Sequence, residues 1–232
     1  MNFKFVFLLI FISASCNNTS KAKFNDNYFE GELHFDLEFE SYSDEYSIES
    51  LQTKYGIKMI QLIKHEEYLI NYSFPDDLSN LKILFDLKNQ LGLTEIKNHD
   101  TILQFELNKN QDELIFTKLD TTDQVNINGE QCNSVIIRYN SKSTSEDIDY
   151  IQAKYYYNSN YKINQEIFKN QNFNFLNLYY QLSNGSLILG DEVVYYPKYK
   201  IKHNLRKIKQ RKIVDKELTL TKSKQIKKIS PN

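Results

Sequence analysis

Phe29-Glu30-Gly31-Glu32-Leu33-His34-Phe35-Asp36-Leu37-Glu38-Phe39-Glu40 alternates without a slip. Phe29, Gly31, Leu33, Phe35, Leu37 and Phe39 fall on one side of an extended chain, and Glu30, Glu32, His34, Asp36, Glu38 and Glu40 on the other. Successive side chains of a strand point to opposite faces, so a period of two sets one face against a core and the other in water. A long alternation of this kind belongs to an antiparallel sheet with one solvated side. Composition supports it: 6 Gly, 3 Pro and no Trp stand against 17 Tyr and 15 Phe, and aromatic residues with few breakers favour strands.

Shorter segments follow the same rhythm. Strands are predicted over residues 57–63 and 68–74, with a turn at 65–67 and a break at 75–77. More follow over 81–87, 102–107, 114–119 and 125–127, with turns at Asn89-Gln90 and at 98–100. Asn128-Gly129 is a two-residue hairpin turn, since both residues tolerate a positive φ. Residues 132–139 and 150–157 then pair around a polar loop, and 187–189, 193–196 and 199–205 are closing strands, with 218–220 a last short one. Helical patterns interrupt twice. Ser47 caps a short helix that Gly56 stops, and residues 163–182 carry one or two short helices around Phe168, Phe175, Leu178, Tyr179 and Leu182. The expected organisation is one β domain over 28–220 and a basic, frayed tail over 221–232.

The start of the chain is an address. Lys4 precedes an apolar run over 5–12, and Ser13-Ala14-Ser15 precede Cys16. This is the order of a secretory leader, here 1–15, and the run is too short for a bilayer core, which needs about 20 residues. Ala14-Ser15-Cys16 resembles the lipobox of bacterial lipoproteins. The resemblance implies cleavage before Cys16 and lipid on its sulfur. It also implies an address in the outer membrane facing the periplasm, and the polar stretch that follows reads as a tether over 16–27. Without the lipid, the same stretch is an ordinary leader with an incidental cysteine. Cys132 then has no partner within the chain, so no disulfide framework exists and stability must come from a core.

The order of pieces carries a second resemblance. Ile127-Asn128-Gly129-Glu130-Gln131-Cys132 leads into a strand. It is followed by Tyr155-Tyr156-Tyr157-Asn158, by Ile163-Asn164-Gln165-Glu166-Ile167-Phe168-Lys169-Asn170, by a helical piece and by final strands. Over roughly 28–220 the chain resembles the small exported proteins of Bacteroidota in the LolA/LolB-like superfamily of lipoprotein carriers and receptors. That implies a mainly β (α+β) fold, a strongly curved antiparallel sheet or unclosed β-barrel with a few short helices on its apolar concave side. It also implies a lipid or lipoprotein as ligand. No short motif of the superfamily's ligand-handling residues can be placed on this chain.

Catalytic patterns are missing from the sequence. His34, His65, His99 and His203 have no second His or Cys at metal-ligand spacing, and no HExxH, CxxC, G-x-S-x-G or Gly-rich phosphate loop occurs. Neighbours on one strand face are about 7 Å apart, so Glu32, His34 and Asp36 read as a solvated acidic face. Asp76-Asp77 and Asp191-Glu192 read as solvated turns, Cys132 as a small buried residue and the tyrosine clusters as two-faced strand packing. From Lys198 onward 13 Lys or Arg stand against two acids, leaving an acidic body with a basic end and no basic stripe for nucleic acid. Alternating lysines there suit a closing edge strand guarded against aggregation. The expectation is a protein that is not an enzyme and uses no cofactor or metal, tied to a membrane through Cys16. It would bind an acyl chain, lipid or lipoprotein against Phe29, Leu33, Phe35, Leu37, Phe39, Phe173, Phe175 and Leu178. The alternative is an envelope interaction module with a self-filled core and a protein partner.

Overall fold

The computed structural model describes residues 28–76, 80–142 and 147–229. In chain order these form β1 (Gly31–Ser41), α1 (Ile48–Tyr55), β2 (Lys58–Lys64), β3 (Glu67–Ser73), β4 (Asn80–Asp86), β5 (Leu91–Ile96) and β6 (Thr101–Glu106). There follow β7 (Glu113–Ile127), β8 (Glu130–Asn140), β9 (Tyr150–Lys162), two 3-10 turns (Gln165–Phe168, Phe173–Phe175) and α2 (Leu176–Leu182). The chain ends with β10 (Ser186–Tyr196), β11 (Tyr199–Gln210), a third 3-10 turn (Asp215–Leu218) and β12 (Gln225–Lys228). The predicted leader, Cys16, the tether and Asp77 lie outside the described residues.

The strands build one curved, unclosed sheet in the order β12-β6-β5-β4-β3-β2-β1-β11-β10-β9-β8-β7. Two meanders, β1 to β6 and β7 to β11, are joined where β1 pairs with β11. Every pairing is antiparallel except that of β12 with β6. Directly paired residues point the same way, so the ladder carries β1's two faces across the sheet. Leu33, Phe35 and Leu37 are buried on the concave side. In register with them are Met59 of β2, Tyr72 of β3, Leu205 and His203 of β11, and Asp191 of β10.

Local chemistry places the elements. Ser47 caps α1 by accepting from the Ser50 backbone N–H, with Glu49 in the first turn and Lys54 in the last, where each charge suits the helix dipole. Gly56, at φ 86°, ends it. Asn128 and Gly129, at φ 50° and 87°, make the β7–β8 turn that their sequence predicts. Gly92 leaves room for the Phe105 ring, which would have to move to admit a Cβ 2.1 Å away.

Several expectations are corrected. Residues 91–96 form β5, a strand between two recognised turns. Residues 113–127 are one strand, with an irregular register between Asp120 and Val125, and 186–196 are likewise one strand. β11 is no edge: it pairs with both β1 and β10, and its basic residues meet acids beside them, as in Lys200–Glu40, Lys202–Glu192 and Arg206–Asp36. Leu218 ends a 3-10 turn, not a strand. The tail is not frayed over 225–228, because those residues pair with Thr101, Ile102, Leu103 and Gln104.

That corrected tail is a strap. After β11 the chain crosses the convex face, where Ile213, Leu218 and Leu220 cover Leu62, Leu69 and Leu84. Glu30, assigned to water by the alternation, is 5% exposed because its carboxylate accepts from the Ile213 backbone N–H at 2.7 Å. Arg211 donates to Glu32 and Glu217, and Lys64 pairs with Asp215. Buried Glu95 accepts from the Thr221 backbone N–H and pairs with Lys224 at 3.1 Å. Burial acts to raise its pKa, but Thr221 and Lys224 outweigh that and hold the carboxyl below its usual range.

Candidate functional site

The concave side is finished differently along the sheet. Over β8 to β11 it is filled. Val135, Ile137, Ala153, Ile151, Leu189 and Ile201 are buried, and α2 lays Tyr179, itself 0% exposed, against the Tyr155 ring at 5.2 Å. The Tyr179 hydroxyl donates to the Ser186 carbonyl. The segment before α2 spans the opening of the sheet: Phe173 meets Phe105 of β6 at 5.5 Å, and Phe175 meets Tyr139 of β8 at 5.3 Å.

Over β3 to β6 the concave face is largely apolar, with Thr94 between Ile83 and Leu103, and away from Tyr68 and Phe85 it is incompletely covered. Ile70, Leu81, Ile83 and Leu103 lie on it by register with Leu33 and Phe35, and each is only half-buried. On the convex side of the same strands Leu69 is buried beneath the strap. At the end where β1 begins, a cleft of about 690 Å³ opens, floored by Phe29, Ile63, Tyr68, Ile163, Ile167 and Phe168 and rimmed by Lys64, His65, Glu66, Glu67, Asp86 and Lys88. Tyr68 stacks on Phe85 at 4.3 Å, and the Gln171 side-chain amide donates to its hydroxyl at 3.0 Å.

A polar row interrupts this greasy surface. Tyr155, Asp191, His203 and Leu37 are direct neighbours on four adjacent strands. His203 Nδ1 meets Asp191 Oδ1 at 2.6 Å, and the two side chains are 13% and 14% exposed. Burial acts to lower the His203 pKa, but the Asp191 carboxylate outweighs it and holds the imidazole above its ordinary value of 6.5. Tyr72, Tyr155 and Tyr195 lie within electrostatic reach of Asp191, and burial first, then this charge among others, raises all three hydroxyls. The sequence reading placed Asp191-Glu192 in a solvated turn. Both instead sit mid-strand in β10, Asp191 inward and Glu192 outward beside Lys202.

Of the eight residues predicted to line a cavity, Phe29 borders the cleft. Leu33, Phe35 and Leu37 are packed in the core, Phe39 lies half-buried against it, and Phe173, Phe175 and Leu178 belong to the bridge and α2. Cys132 is fully buried, and burial, with Glu130 adding to it, pushes its thiol up to about 11. Tyr155 and Tyr157 point at Tyr179 while Tyr156 donates to Glu192, so that cluster is two-faced strand packing. His34 lies near Glu32, which Arg211 and Lys209 already engage. Among the described residues no group of three or more His, Cys, Asp or Glu is placed to hold a metal, and no helix is long and apolar enough to cross a membrane. No known family model and no curated protein matches the chain.

Proposed function

We propose that this is a non-catalytic protein of the cell envelope, anchored by lipid on Cys16, that holds an apolar ligand such as an acyl chain on its concave face. One observation carries the reading. Ile70, Leu81, Ile83 and Leu103 form an apolar strip on the hollow side that the chain's own helices leave half covered. Burying such surface favours binding by about 25 cal/mol per Å² and needs no catalytic group. The Lol-like resemblance and the lipobox point to the same class of ligand and to the outer membrane facing the periplasm. Tyr28, where the described chain begins, borders the cleft, and twelve extended residues from Cys16 reach at most about 43 Å, so the cleft would stay near the anchoring membrane. Native mass spectrometry of protein purified from membranes, with fluorescent acyl-chain uptake as the second readout, tests the reading. Co-purified lipid and saturable uptake are expected, and absence of both overturns it.

The second reading, an interaction module, is favoured by the filled interior over β8 to β11 and by β7. That strand ends the sheet with Leu114, Ile115, Leu119 and Val125 exposed. An envelope protein that adds a strand to β7 would be lost on Leu119→Asp.

A further inference from the structure

One edge of the sheet is closed and the other is open. β6 is covered by β12, a strand of four residues that carries Lys227 and Lys228, and short lysine-bearing strands guard an edge. β7 has 15 residues and pairs only with β8. Its second half is folded away from the edge. Beyond Asp120 the chain turns over the convex face: the Asp120 carboxylate accepts from the Thr122 and Asp123 backbone N–H groups, Asp123 pairs with Lys154 of β9, and Ile127 lies against Gly190 of β10. The open stretch runs from Glu113 to Lys118. Leu114 pairs with Tyr139 and Phe116 with Arg138, so Ile115 is an extra residue, a bulge. It puts Glu113, Phe116 and Lys118 together on the convex face, and Leu114 and Thr117 on the hollow side with Tyr139 and Ile137. Leu114 and Ile115 are exposed, and Phe116 is half-buried. Glu113 is exposed and makes no ion pair with another described residue, while Lys118 is 60% exposed and lies 3.4 Å from Asp120.

We propose that this edge is taken by the same edge of a second copy of the chain, paired antiparallel about a two-fold axis at Phe116. Outward from that axis, Phe116 faces Phe116 of the second copy, Thr117 faces the Leu114–Ile115 bulge, and Lys118 faces Glu113, the last two contacts each made twice. Charge complementarity selects both the occupant and the register. A two-fold that joins two like edges stands normal to the sheet, so every residue meets one from its own face. Glu113 and Lys118 satisfy this because the bulge brings them to one face. Moving the axis to Thr117 would set Glu113 against Asp120 and Lys118 against Phe116. Moving it to Leu119 would need the stretch beyond Asp120, which is folded away. Opposite charges and aromatic pairs directly across strands are contacts that stabilise a ladder. Arg138 backs the Phe116 ring at 4.8 Å and holds it in place for its counterpart. With the axis normal to the sheet, the hollow sides of the two copies face the same way. The pairing is independent of what those hollow sides hold.

Sedimentation of the protein purified from membranes in detergent, over a series of concentrations, tests the proposal. A monomer–dimer equilibrium is expected. Lys118→Glu and Glu113→Lys each set like charges across both pairs and should each weaken the dimer about tenfold. An equimolar mixture of the two variants, and the double variant that carries both changes, should restore it. A second readout fixes the register. Phe116→Cys should form a disulfide-linked dimer on mild oxidation beyond that of the parent chain, since directly facing residues lie about 4.5–5.5 Å apart between Cα atoms, and Thr122→Cys should not. A monomer at every concentration, a dimer that both single variants leave unchanged, or a double variant that stays monomeric would overturn the proposal. Cross-linking through Thr122→Cys and not through Phe116→Cys would overturn it as well.

Discussion

The two meanders of this sheet are covered differently. Over β8 to β11 the hollow side is filled by α2 and its tyrosines, and the convex side carries side-chain ladders such as Arg138 between Phe116 and Tyr150, with Tyr150 stacked on Tyr196. Over β3 and β4 the convex side is sealed by the strap, while Ile70, Leu81 and Ile83 on the hollow side stay half covered. A curved sheet needs one well-packed face to fold. Over β3 and β4 the convex face is packed by the strap, and the hollow face is packed at Tyr68 and Phe85 but only partly at Ile70, Leu81 and Ile83.

Deep truncation should separate the two regions most strongly. Tyr179→Ala removes the ring that fills the closed meander and should cost about 3–5 kcal/mol in denaturant unfolding. Leu69→Ala, beneath the strap, should cost about 2–4 kcal/mol, and with Ile213→Ala the two losses should combine less than additively because the side chains share one small cluster. Independent losses would mean that the strap does not pack as described.

The charges make a comparison of opposite sign. Glu217 is held down to about 2, chiefly by its hydrogen bonds from Arg211 and then from the Val214 backbone N–H. Its ordinary value is 4.5, so its contribution is complete above that and is lost as pH falls towards about 2. His203 is held above 6.5 once Asp191 outweighs its burial, so its contribution is complete below 6.5 and is lost as pH rises through the folded value. Unfolding midpoints measured from pH 2 to 9 should show both slopes. Arg211→Gln should flatten the acid side only, and His203→Gln the other only. Smallest of all, Ile83→Ala should cost about 1–2 kcal/mol, since its side chain is only partly buried against the core. A loss as large as that of Leu69→Ala would mean that the hollow face there is filled.

How far the sequence reaches follows from the same contrast. β1, α1 and the Asn128-Gly129 turn are set by local pattern, and each stands where its residues predict it. The strap has no period, because Ile213, Leu218 and Leu220 face the sheet from a 3-10 turn and irregular chain, and its lysines resemble a solvated tail. Glu30 shows why alternation alone misleads: it sits on the correct convex face, but that face is covered by a segment about 180 residues later. Asp191 and His203 are twelve residues apart across a hairpin, and only the register of β10 on β11 brings them together. That register begins at Tyr195 and Tyr199, flanking a turn that the sequence does mark, so pairing outward from it was the signal available.

The most direct measurement is acyl-chain binding to two single variants of equal chemistry, Ile83→Asp on the hollow side and Leu119→Asp on the exposed β7 edge, each shown to be folded. A hollow binding face predicts that the first abolishes saturable binding and the second leaves the affinity unchanged. Full binding by Ile83→Asp, or its loss in Leu119→Asp alone, would contradict the account.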